Sequence, residues 1–160
     1  MRFRTRILIA VAMVGSFLPV AITAQMHPDW YGTWTLDLQK STYAGPAPYR
    51  RGTLTIEPSN GGVKTVYDLV RVRGGITHME WTGALDGRDY SVQGLEEFIT
   101  YAYSPIDERT YEVVMKVDLV MVARSVVTLT TDGRTITTVT KGRNAQGLDV
   151  TTTTVYRKEP

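Results

Sequence analysis

Almost the whole chain from Trp30 onward is short alternating runs cut by turn residues, with no helical period. Alternation of apolar and polar residues is the mark of half-buried strands, and clustered Gly, Asn, Asp and Pro mark the turns between them. In Trp30-Tyr31-Gly32-Thr33-Trp34-Thr35-Leu36-Asp37-Leu38, residues Trp34, Leu36 and Leu38 share one face. Gly32 frees the backbone there for close approach. Residues 39–51 read as an extended loop that Pro46 and Pro48 keep out of a helix.

Further strands are expected over 53–57, 63–72 and 76–85, with a strong turn at 58–62 and another at 73–75. Asp86-Gly87 reads as a type I′ hairpin pair, followed by strands over 88–92 and 97–103. Residues 104–108 read as a turn. Strands follow over 110–117 and 120–130, then a second type I′ pair, Asp132-Gly133, then strands over 135–141 and 148–157 around a turn at 144–147. Threonines crowd the region between Thr110 and Thr154, as suits a pleated surface. Eight to ten strands joined by hairpins make a meander. Closing it removes both sticky edges, so the expectation is an all-β, up-and-down antiparallel barrel, with a β-sandwich as the alternative.

Ahead of the first strand, Arg2, Arg4 and Arg6 precede an apolar run from Ile7 to Phe17, then small residues at Ala21-Ile22-Thr23-Ala24. That order is the layout of a secretory signal peptide, and the run is short for a spanning helix. The expectation is a leader over 1–24, a barrel domain over 25–160, and a periplasmic or secreted product. With no cysteine there is no disulfide, no thiolate metal site and no lipid-anchored cysteine at the cleavage point. Removing residues 1–24 from the 160 leaves 136, enough for one domain with a core. It also removes three of the 18 Lys and Arg, leaving 15 against 16 Asp and Glu. The basic balance of the full chain is thus a property of the leader, and nucleic-acid binding is not expected. The expected product is a monomer.

Gly32-Thr33-Trp34 with Leu36, Leu38, Lys40 and Ser41 resembles the opening of lipocalin-like, or calycin-type, barrels. Other matching stretches are Leu85-Asp86-Gly87-Arg88-Asp89-Tyr90 with Val92 and Gly94, Thr131-Asp132-Gly133-Arg134-Thr135, and Lys141-Gly142 with Asn144-Ala145-Gln146-Gly147. The likeness is to small secreted bacterial proteins of largely unassigned function. It implies that Trp34 plugs one barrel end and that a basic residue near the end of the last strand packs across it, Arg157 first and Lys158 second. The absence of a helical lid in 39–51 argues against the fatty-acid-binding branch.

Catalytic chemistry is weakly signalled. His78 and Glu80 share a strand face and could form a base with its orienting carboxylate, but Met79 and Trp81 claim the core side, so the pair is read as facing water. His27 is read as part of a frayed N-terminus. Two histidines and no cysteine make a closed zinc site improbable, and nothing points to a cofactor. Aromatics carry more. Trp34, Tyr67, Trp81 and Tyr111 fall on apolar faces with Met79 and Met115, and Tyr101 joins through the Ile99-Tyr101-Tyr103 face. They describe either a packed core or a pocket for a small apolar or amphipathic molecule.

Arg124 is the remaining candidate. An even loop after Val117 turns it inward, where it could hold a ligand carboxylate; an odd loop turns it outward. Its pairing with Lys141, and of Lys141 with Asp149 across a five-residue loop, favours a solvated charged patch. The functional expectation is therefore a carrier of a small molecule. The alternatives are a barrel enzyme, such as a cyclase or isomerase, and an interaction module with a filled core.

Overall fold

The structure, a computed structural model, describes residues 25–144 and 146–160. The expected leader, residues 1–24, lies outside the described residues. A short 3-10 helix (Pro28–Trp30) leads into β1 (Gly32–Leu36), β2 (Tyr49–Ser59), β3 (Gly62–Arg71), β4 (Ile76–Gly83) and β5 (Tyr90–Gln93). Then come β6 (Ile99–Asp107), β7 (Thr110–Val117), β8 (Val120–Leu129), β9 (Thr135–Arg143) and β10 (Asp149–Lys158). Each strand pairs antiparallel with the next, and β1 pairs with β10 through Trp34↔Lys158, Thr35↔Arg157 and Leu36↔Tyr156. The sheet is thus a closed ten-stranded up-and-down barrel without free edges, as the meander pattern implies. No helix among the described residues is long and apolar enough to cross a membrane.

Several turns differ from expectation. Asp86-Gly87 is not a two-residue hairpin. β4 and β5 pair only at Glu80↔Gln93 and Trp81↔Val92, and the wide loop between them folds onto β6, where the Gly87 N–H donates to the Tyr103 carbonyl at 2.9 Å. At Asp132-Gly133 only the glycine has a positive φ, of 66°, whereas type I′ needs two such residues. The Gly133 N–H closes the turn on the Thr130 carbonyl at 2.9 Å. The two-residue turn with both φ values positive is instead Asp118-Leu119, at 48° and 67°, joining Val117 to Val120. Residues 104–107, read as turn, belong to β6. Pro105 is tolerated because the ladder bulges between Pro105 and Asp107.

Hairpin turns alternate between the two barrel ends. One end carries the N-terminal segment, the C-terminus and the connections at 60–61, 84–89, 108–109 and 130–134. The other carries the connection 37–48 and the turns at 72–75, 94–98, 118–119 and 144–148.

Candidate functional site

The first of these ends is shut by side chains. Trp34 is fully buried, and its indole N–H donates to the Trp30 carbonyl at 3.0 Å. Trp30 is itself 1% exposed, donates to the Glu108 carbonyl at 3.0 Å and stands edge-on to Tyr111 at 5.3 Å. Met26, Ile136 and Leu129 complete the plug. Outside it, Arg109 pairs with Asp29 at 2.8 Å, and the Lys158 ammonium donates to the Asp29 carbonyl at 2.6 Å. Lys158 also lies 5.0 Å from the centre of the Trp34 ring, a cation–π contact. Lys158, not Arg157, is therefore the basic residue across the tryptophan. Register decides it: Lys158 is opposite Trp34, whereas Arg157 faces outward and pairs with Asp37 at 3.0 Å. Gly32 has φ of 127°, and a Cβ there would stand 3.2 Å from Lys158 Cε, so the close approach read from the sequence is real. His27 is not frayed. Its Nδ1 accepts the Asp29 N–H at 3.2 Å and caps the 3-10 turn.

Toward the other end the interior is not filled. A cavity of about 280 Å³ lies between Tyr49, Tyr67, Tyr101, Tyr103 and Tyr156 on one side and Ser125, Thr138, Thr140 and Thr154 on the other. Met79, Met115, Leu69, Val113 and Val127 supply its apolar wall, and no charged residue lines it among the described residues. Its volume sits near the lower bound of small-molecule pockets, about 300 Å³. The phenols stay neutral. Burial raises Tyr67, Tyr103 and Tyr156 far above the usual tyrosine range, and it raises Tyr101 to about 12. A smaller gap of about 20 Å³ separates the cavity from the plug, and Thr65, whose buried hydroxyl has no partner among the described residues, borders it.

The sequence candidates divide by depth. Tyr67, Met79, Tyr101 and Met115 line the cavity. Trp81 lies behind it, tilted against Tyr103 at 4.4 Å, with its indole N–H on the Tyr101 carbonyl at 3.2 Å. Trp34 and Tyr111 belong to the plug.

Arg124 lines nothing inside. The loop after Val117 has two residues, which by itself would turn Arg124 inward. A bulge between Met115 and Lys116 reverses the parity: Met115 pairs with Ala123 and Val114 with Arg124. Arg124 therefore points out and pairs with Glu112 at 2.6 Å. It does stand opposite Lys141, but Lys141 pairs with Thr151, and Asp149 pairs with Arg143. His78 and Glu80 also face out. His78 bonds Asp68 at 2.7 Å and Glu80 at 3.3 Å, and Glu80 pairs with Lys64 at 2.8 Å. Those carboxylates hold the His78 imidazole above its usual pKa.

Sequence reading missed Trp30, Tyr49, Tyr156 and the hydroxyl wall. Composition alone marks the threonines only as strand formers. Yet Thr138, Thr140 and Thr154 alternate with residues pointing away from the interior, and period two marks them as inward once Ile136 and Tyr156 are placed in the core.

No family model matches the chain, and no curated protein matches it. Among solved structures it is similar to one described as "De novo design of a fluorescence-activating beta barrel", at 13% identity and a TM-score of 0.40, over 82% of this chain and 94% of that one. Strand pairing and the cavity define the class: a closed antiparallel barrel, plugged at one end, with an uncharged cavity toward the other.

Proposed function

We propose that the chain is an exported, lipocalin-like barrel that binds a small uncharged molecule, mostly apolar and bearing a hydroxyl or carbonyl group. One observation carries this reading: a cavity of about 280 Å³ walled by tyrosines, methionines and Ser/Thr hydroxyls, with no charge in its lining among the described residues. Aromatic and methionine side chains supply adaptable apolar area, and the hydroxyls can hydrogen-bond one polar group of the ligand. A carboxylate would have to shed its hydration with no cation to meet it, since Arg124 is outside. The lipocalin-like assignment is supported by Gly32-Thr33-Trp34 and by the Lys158 ammonium over the Trp34 ring. Export is supported by the arginines and apolar run of residues 1–17 and the small residues at 21–24.

The test is thermal unfolding with matched long-chain and aromatic alcohols, aldehydes and acids. At least one alcohol or aldehyde should raise the melting temperature saturably and bind roughly tenfold or more tightly than its acid. Tighter binding of the acids, or no shift with any member, would overturn the reading.

A further inference from the structure

Beyond the ligand itself, we propose that the open end of the barrel docks on an anionic lipid surface. Of the large hydrophobics exposed among the described residues, only Ile106 stands at the plugged end, and Val122 and Val126 lie on the wall of β8. Val72, Ile76, Phe98, Leu119, Val120 and Leu148 all stand at the open end, with Met121 just behind them. They occupy four successive turns, so the apolar tips ring the mouth rather than form one side patch. Apolar residues scattered singly need no explanation, but a group gathered around a cavity mouth marks an interaction surface.

Leu119 adds a separate observation. It is 68% exposed and holds φ of 67°, a left-handed conformation that costs energy for a leucine and that Gly or Asn would adopt freely. An exposed apolar side chain thus stands at the tip of the β7–β8 hairpin in spite of that backbone cost.

Charge selects the partner. Arg50, Arg51, Arg71 and Arg73 flank Val72 and Ile76, and none of them is ion-paired among the described residues. Lys141, near the end of β9, likewise has no ion pair among the described residues. The carboxylates at this end among the described residues are Asp37, Glu96, Glu97, Asp118 and Asp149, of which Asp37 is already paired with Arg157 at 3.0 Å and Asp149 with Arg143 at 3.3 Å. Exposed apolar tips interleaved with unpaired arginines suit the interface of a bilayer rich in anionic headgroups, where the tips enter and the arginines meet phosphate. Docking in that orientation would set the cavity mouth against the lipid and the plug away from it.

The chain has no cysteine, so a single one can carry a polarity-sensitive dye. Val120→Cys places it at the mouth and Ile106→Cys at the plugged end. Each labelled full chain is mixed with vesicles of phosphatidylcholine alone, and of phosphatidylcholine with phosphatidylglycerol. Residues 1–24 are present in both chains and join the barrel at its plugged end, so a contact made by them would move the Ile106→Cys dye rather than the Val120→Cys dye.

The expected result is a blue shift at Val120→Cys on anionic vesicles only, none at Ile106→Cys, and loss of the signal in high salt. Arg50→Gln and Arg73→Gln should each weaken the response roughly fivefold while leaving the melting temperature unchanged. Equal shifts at the two positions, no shift at Val120→Cys, or indifference to both arginine changes would overturn it. So would a shift that grows with protein concentration without vesicles, which would make the rim an interface between copies.

Discussion

The two ends of this barrel are built from the same alternating strands, yet one is packed shut and the other is hollow. At the plugged end, Trp30 and Trp34 close the bottom. They are fully buried, hydrogen-bonded through their indole groups, and tied to the C-terminus by Lys158. At the open end the inward positions of β8 to β10 shrink to Ala123, Ser125, Thr138, Thr140, Gly142 and Thr154, which cannot fill the space facing Tyr67, Tyr101 and Met115. The difference shows that side-chain volume, not strand pattern, decides whether a barrel stores stability or space.

The sharpest way to break that contrast is to cut each region. Trp34→Ala should cost about 3–5 kcal/mol, because it removes a large fully buried ring and orphans the Trp30 carbonyl. Met115→Ala borders an existing cavity and should cost less, below about 2 kcal/mol, since few atoms pack against its far side. Chemical denaturation of the two variants checks the order. Equal losses would mean that the two ends are packed alike.

Alkaline pH sharpens the contrast from the other side. The buried phenols of Tyr67, Tyr101, Tyr103 and Tyr156 hold their protons more tightly in the folded chain than in the unfolded one, where tyrosine titrates near 10. A raised folded pKa contributes stability that is complete below about pH 10 and is lost as pH rises through 12, where Tyr101 titrates. The denaturation midpoint should therefore be insensitive to these groups up to about pH 10 and fall steeply above it. A bound neutral ligand should delay that fall.

The smallest effect is expected on the outer wall. Arg124→Leu breaks one exposed pair with Glu112 and should change stability by less than about 1 kcal/mol, leaving alcohol-over-acid selectivity intact. A selectivity change on titrating the variant would return Arg124 to the interior.

Fold class was legible because period-two alternation and turn residues recur along the chain without a helical rhythm, and closure then follows from the cost of free edges. The inward aromatics were legible for the same reason. The outward lean of Arg124 was legible through its pairing with Lys141, but the bulge between Met115 and Lys116 that enforces it was not, because a single extra unpaired residue leaves no mark in composition. Asp132-Gly133 misled because the dipeptide also fits a turn in which only the glycine is left-handed. Asp118-Leu119 adopts the doubly left-handed turn without any glycine to announce it. Trp30 escaped notice because it precedes the first strand, where alternation has no purchase.

The central claim, a ligand site confined to the open half, can be read from the methionine methyl groups by NMR. Met79 and Met115 line the cavity, while Met26 is buried in the plug. Titration with the tightest-binding alcohol or aldehyde should move the Met79 and Met115 resonances saturably and together, with Met26 unmoved. Resonances that stay fixed throughout the panel, or a Met26 shift as large as the other two, would contradict the account.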